Sequence, residues 1–240
     1  MIATFPIIGV TLRGLLGRRR TLLMLLLVAL PVVVALLIRL SVGGVRTERI
    51  LDDMIVRVVL PLVALVFGTA ALGSELEDGT AVFLMVKPVP RWRIIAAKMV
   101  VAAGLTIALI MPSTVIAGLL AGGLETESIS TTFAYALAAS IGGAAYACAF
   151  VAFSAFTSRA LVVGLGYTMI WEGLLAGLLE GTRFLSIRQA TLGIASGLQG
   201  DLDTGRLDFP LSMGIVTVTI VGAFVIGSLR LARFEIRGGD

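Results

Sequence analysis

The sequence predicts an all-α membrane protein with six transmembrane helices. Three observations predict it. Of the 240 residues, 58% are hydrophobic and only 14% charged; mean hydropathy is +1.05; and six stretches nearly free of charge are long enough to cross a bilayer. A water-facing domain carries roughly a quarter charged residues, whereas a hydrocarbon core takes about 20 helical residues. The residue types present also exclude chemistry. There is no histidine and one cysteine, Cys148. Histidine-ligated haem, an H-E-x-x-H zinc site and a serine–histidine dyad all need an imidazole, and a lone cysteine makes neither an internal disulfide nor a thiolate cluster.

The elements follow in order. Phe5, Ile8, Leu12, Leu15 and Leu16 recur at helical spacing with Arg13, Arg18 and Arg20 off that stripe, which predicts an N-terminal helix over 1–20 lying in the membrane interface. Thr21 to Ile38, between Arg18–Arg20 and Arg39, is the first span, placed at 21–40. Its apolar core exceeds the about 7–15 residues of a secretory signal, so it is read as retained. Val58 to Ser74 puts the second span at 55–74, and Met99 to Leu124 puts the third at 99–121. Ser128 to Ser158 puts the fourth at 132–156, and Ala160 to Leu179 puts the fifth at 160–179, interrupted only by Glu172. Phe209 to Leu229, closed by Arg230, puts the sixth at 209–230. Pro31, Pro61 and Pro112 fall inside spans, where neighbouring helices can satisfy the freed backbone groups, and are read as kinks.

Charge placement sets the direction. With the N-terminus in the cytoplasm, 12 of the 19 basic residues, including both lysines, fall on the inner side, and basic residues favour the cytoplasmic face. Six spans then return the C-terminus to the cytoplasm. The loop at 180–208 is too long for a plain connection. It holds an uncharged stretch from Gln189 to Gly200 that is too short to span, which suits a re-entrant or interfacial outer helix, and Ser186-Ile187-Arg188-Gln189 is able to begin it.

The most informative segment is the connection at 75–98. Glu75, Glu77 and Asp78 end span two and turn at Asp78-Gly79. Thr80 can then N-cap a short apolar helix, Ala81 to Val86, containing Phe83 and Leu84. Lys87-Pro88-Val89-Pro90 stops that helix, and Arg91 restarts the chain. A short helix lying across the inner face, pinned by turns at both ends, can act as a lever; its apolar residues need a surface to bury on.

Within the membrane, Glu172 is the one acidic residue deep in a span, roughly 20 Å from the inner side at 1.5 Å per residue. It is read either as a polar group in a translocation route or dimer seam, together with Thr168, Gly173 and Gly177, or as a structural group bonded to Thr168, Tyr167 or Arg57. Gly118/Gly122 and Gly193/Gly197 share the G-x-x-x-G spacing with Gly173/Gly177/Gly181. With 28 glycines such spacings arise by chance, so only the ladder on the helix of Glu172 is retained as a close-packing face.

The run G-S-E-L-E-D-G-T, then K-P-V-P-R and a further lysine, resembles the permease subunits of ABC-2-type transporters; it places Gly73, Glu75, Glu77, Gly79, Thr80, Pro88, Arg91 and Lys98 at family-like spacing. The resemblance implies that Thr80 to Val86 is a coupling helix seated on a separate ATP-binding cassette ATPase, with Glu75, Glu77, Gly79, Thr80, Phe83, Leu84, Pro88 and Arg91 in the contact. It also implies pairing of two permeases, as a homodimer or with a related chain, among membrane lipids in the plasma membrane of a prokaryote. A P-loop needs a Gly-Lys-Ser/Thr run, and the only lysines, Lys87 and Lys98, follow Val86 and Ala97. ATP and Mg are therefore expected on the ATPase subunit, with no cofactor in this chain and no nucleic-acid partner. An exporter is the expected role, with a non-transporting anchor or sensor for an ATPase as the alternative. A membrane-embedded lipid-modifying enzyme fits less well: it would want convergent carboxylates or a nucleophile–base pair, and Glu75, Glu77 and Asp78 are merely adjacent on a turn.

Overall fold

The computed structural model describes residues 17–42, 46–77, 90–157, 159–175, 184–200 and 207–232, with Gly9, Thr11 and Leu15 as isolated positions. The expected interfacial helix over 1–20 therefore lies mostly outside the described residues. Among those described, every regular element is helical. Helix α1 is Arg18–Val42. Thr47–Ile50, Leu51–Val59 and Leu60–Glu77 run without a break as α2, and the middle piece is π-helical. Helix α3 is Arg91–Gly122 and α4 is Thr126–Ser154. Ala160–Gly166 continues into a second π-helical run, Tyr167–Leu175, as α5. Helix α6 is Ile187–Gln199 and α7 is Phe209–Ala232.

Five helices among the described residues are long and apolar enough to cross a membrane: Thr21–Ser41, Thr47–Gly73, Arg91–Gly122, Thr126–Ser154 and Phe209–Ala232. The stretch expected as a further span, 160–179, is helical through Leu175, and residues 176–183 lie outside the described residues. Helices also run past the charges that bound the apolar stretches. Helix α2 begins at Thr47 and carries Asp52, Asp53 and Arg57, and α3 begins at Arg91 rather than Met99. Charge limits how much of a helix sits in hydrocarbon, but Arg, Lys and Glu are good helix formers and do not end it. At 32 residues α3 is about 48 Å long, well beyond a core of about 30 Å.

Helix α4 is the hub, packed against α2, α3, α5, α6 and α7. Its sequence explains why. Ala134, Ala136, Ala138, Ala139, Gly142, Gly143, Ala145 and Ala147 are all buried, and small residues let membrane helices approach where apolar burial gives no advantage over lipid. A Cβ on Gly142 would collide with Thr191 of α6, and one on Gly143 would fall 3.0 Å from Leu60 and Thr106. By contrast, α1 and α7 turn long side chains such as Leu26, Leu40, Val218 and Leu229 outward.

The same close approach corrects the dismissal of two glycine pairs as chance. Gly118 lies against Thr132, Gly122 against Thr47 and Ser128, Gly193 against Ser212, and Gly197 against Phe209. Gly173, from the ladder that was kept, is exposed, with Thr168 O at 3.5 Å from a Cβ built there; Gly177 and Gly181 lie outside the described residues. Spacing marks one face of a helix, but only the neighbouring helix decides whether that face is used.

Turns and kinks have local causes. Gly123, at φ 78°, caps α3 by giving its N–H to Leu119 O, and the short connection folds α4 back antiparallel. Arg39 donates to Leu120 O at 3.3 Å, placing a cation at the negative end of α3. Pro31 disturbs the carbonyls one turn before it, and Ser113, beside Pro112, donates to Val28 O at 2.7 Å. In α2 the π-helical run precedes Pro61, which has no N–H to give to the preceding turn; Leu60 N–H bonds instead to Ile55 O, five residues back.

Substituting Gly142 by Val should lower stability by roughly 1–3 kcal/mol through overpacking between α4 and α6. Gly222, with nothing within 4 Å of an added Cβ, should accept Ala with no loss. Thermal unfolding of the purified protein in detergent separates the two.

Candidate functional site

Of the residues expected to meet an ATPase, Gly79, Thr80, Phe83, Leu84 and Pro88 lie outside the described residues. Glu75 and Glu77 belong to the last turns of α2 and Arg91 opens α3. What the structure describes is how the two ends of that segment are held. Lys98 is fully buried and donates from Nζ to Ala71 O near the C-terminal end of α2, where a cation is favoured by the helix dipole. Arg91 donates from Nη1 to Leu231 O at 2.7 Å. The helices flanking residues 78–89 are thus tied to each other and to the last turn of α7.

The second site is built around Glu172. It sits on the π-helical run of α5 and is 4% exposed, although Met169 and Ile170 on the same turn are more than half exposed. The carboxylate accepts from Ser186 Oγ, from Ile187 N–H at 2.9 Å and from Tyr167 Oη at 3.2 Å. Ser186 in turn accepts from Gln189 N–H at 3.1 Å. The first amides of a helix lack partners within it; here Ser186 satisfies one as N-cap and Glu172 satisfies another. A carboxylate at this end is also favoured by the dipole. Trp171 Nε1 donates to Leu185 O at 3.3 Å, a further tie between α5 and the start of α6.

An aromatic group supports the carboxylate. Tyr146 stacks on Phe150 at 5.9 Å, and Tyr167 meets Phe150 and Phe153 edge-on at 6.5 and 5.9 Å. The Tyr146 hydroxyl is buried without a hydrogen-bond partner among the described residues. Beside the same helix start, Arg188 Nη2 meets Asp52 Oδ1 of α2 at 3.1 Å, both side chains being largely buried.

Tyr167 is therefore a partner of Glu172. Thr168 instead back-bonds to Leu165 O, and Arg57 meets Asp53 at 3.7 Å on an exposed face. Reading the sequence placed a helix start at Ser186 but did not pair Ser186 or Ile187 N–H with Glu172, and it missed the Arg188–Asp52 pair. One signal was available. Ser186-x-x-Gln189 is a capping-box spacing, and a helix start deep in an apolar chain wants an acidic partner. That the partner is Glu172 depends on how α5 and the start of α6 meet and was not readable.

Residues 16–172 match the family described as ABC-2 family transporter protein. The chain belongs to the ABC-2 transporter family. Among curated proteins none matches it. As an ABC-2 family member it is a multi-pass membrane protein and a permease subunit of an ABC transporter, a kind of subunit that is generally not itself catalytic and generally partners an ATPase subunit. The match ends at Glu172, so α6 and α7 lie beyond the matched residues.

Replacing Ser186 by Ala should cost about 1 kcal/mol, as for other lost N-caps. Glu172→Ala should cost roughly 1–3 kcal/mol because it strands buried donors. Hydrogen exchange across 187–199 should rise in both variants, and more in the second.

Proposed function

We propose that this ABC-2 permease is the membrane subunit of an ATP-driven exporter and that a separate ATPase, binding ATP and Mg, acts on it through the segment between α2 and α3. The reading includes six spans with both termini in the cytoplasm, the fifth made of α5 and the residues that follow it. It also includes pairing with a second copy in the plasma membrane of a prokaryote. In it Glu75, Glu77, Gly79, Thr80, Phe83, Leu84, Pro88 and Arg91 form the ATPase contact. Family membership supports the permease role, and the excess of arginine and lysine on one side supports cytoplasmic termini.

The observation that carries the coupling is the buried Lys98–Ala71 bond, with Arg91–Leu231 beside it. A segment pushed from outside moves the bundle only if its ends cannot yield separately. These bonds join α2, α3 and α7 at its base, so displacement there is passed on to packed helices with few soft degrees of freedom.

Deleting Ala81 to Val86 should abolish co-purification with the ATPase while the rest of the chain still unfolds cooperatively; retained association would refute the contact. Lys98→Met keeps the length of the side chain and removes the bond. It should leave association intact and uncouple hydrolysis from flux in reconstituted vesicles. ATPase binding with no flux of any cargo in the unmodified complex would instead mark the chain as an anchor or sensor.

A further inference from the structure

Three arginines at the end that bears residues 78–89 have no carboxylate partner among the described residues. They are Arg93 in the first turn of α3, Arg159 at the head of α5 and Arg230 in the last turn of α7. The ion pairs formed among the described residues, Arg57–Asp53 and Arg188–Asp52, belong to the other end, where Glu48, Glu125 and Glu127 also stand. Two of the three guanidiniums rest on aromatic rings instead. Arg93 Cζ lies 5.2 Å from the ring centre of Trp92, and Arg230 Cζ lies 5.4 Å from that of Phe156.

The second pair is a product of the seam between α4 and α7. A Cβ on Gly227 would stand 3.8 Å from Ala152 and 3.6 Å from Ile95 of α3. Arg230 and Phe156 follow about one turn further along the same faces. A ring face attracts a guanidinium by charge but uses none of its N–H groups as a carboxylate would. Both forks therefore keep donors for an acceptor outside the chain.

The surroundings fix the kind of acceptor. Trp92 and Phe156 are each half exposed, and the side chains below them turn aliphatic surface outward: Val100 on α3, Ile226 and Leu229 on α7, Leu161 and Val162 on α5. Arg159 and Arg230 bound the apolar stretches of α5 and α7, and Arg93 stands shortly before that of α3. Their charges thus sit where hydrocarbon gives way to headgroups, the level at which aromatic side chains also gather. The anions at that depth are lipid phosphates, which a guanidinium fork meets with two parallel hydrogen bonds. An acidic protein surface would have to reach cations flanked by lipid-facing side chains.

We propose that this rim binds the phosphate of anionic phospholipids. Arg93 on Trp92 and Arg230 on Phe156 are its two anchors, and Arg159, three residues after Phe156, adds charge beside the second. The contact ties the start of α3 and the end of α7 to the headgroup layer. It holds whichever side of the membrane this end faces, and it is separate from transport.

Quenching by lipids brominated on their acyl chains reports which lipid touches a tryptophan. The full chain, without an ATPase, is placed in symmetric vesicles of phosphatidylcholine and phosphatidylglycerol, with one or the other brominated. The chain has two tryptophans, Trp92 and Trp171, so Trp171→Phe leaves the first anchor as sole reporter. Trp92→Phe/Trp171→Phe/Phe156→Trp moves the reporter to the second. Phosphatidylglycerol should be enriched about fivefold over its bulk share at both, the effect of roughly one arginine near anionic lipid. Arg93→Gln should remove most of the enrichment at the first reporter alone, and Arg230→Gln at the second alone; the unaffected reporter shows that the fold is kept. Trp92→Phe/Trp171→Phe/Leu124→Trp, beside Glu125 and Glu127 at the other end, should show no enrichment. Equal quenching by the two lipids at either reporter overturns that anchor. Enrichment that survives the arginine substitutions, or that is as large beside Glu125, overturns the proposal. Absence of lipid preference combined with lost ATPase co-purification in Arg93→Gln/Arg230→Gln also overturns it and assigns the arginines to the protein partner.

Discussion

Everything in this bundle rests on α4 being narrow. In a bilayer a leucine gains nothing by leaving lipid for another leucine, so helices are held by close packing and by polar bonds between them. Alanine and glycine along α4 let five other helices reach its backbone. Gly68 of α2 is the reciprocal case: a Cβ there would fall 2.6 Å from Phe150 and 2.9 Å from Ala147 O. Bulk is placed on the outside, on α1 and α7, where lipid conforms to any shape.

Polar groups follow from the same dryness. Most buried hydroxyls spend their hydrogen bond within their own helix, as Thr69, Thr106, Thr114, Thr132, Ser140 and Thr191 do toward the carbonyl four residues back. They are satisfied but join nothing. The polar bonds that do link helices therefore specify the arrangement, and most gather toward the two ends of the bundle. Lys98–Ala71 and Arg91–Leu231 brace the end that bears the segment between α2 and α3; Thr47–Ser128, Arg188–Asp52 and the Glu172 network brace the other. Bonds at the ends with packing in the middle leave the bundle few soft degrees of freedom.

Glu172 shows how a bundle can make an intramembrane carboxylate tolerable. Such a group is costly at membrane depth unless partners surround it. Here the partners are a hydroxyl, a phenol and the free amide of a helix start. The carboxylate holds α6 in place, and α6 supplies the donors that make the buried carboxylate tolerable.

The sequence by itself determined the class of the protein, the apolar stretches, the family and the start of α6 at Ser186, because these depend on composition, local spacing and capping chemistry. It also pointed to the Lys98 position, without showing that the side chain is buried under α2. The helices run beyond the apolar stretches: Asp52, Asp53 and Arg57 ride on α2, and Arg91 to Lys98 on α3. Only the tertiary structure decided which glycines are contacts and which carboxylates serve α6. It also decided that both of those carboxylates stand on π turns. Those facts depend on what faces a residue across tens or more than a hundred positions of chain, as Asp52 faces Arg188. No local pattern carries that information, because a side chain at a given helical spacing is the same whether lipid or another helix lies opposite.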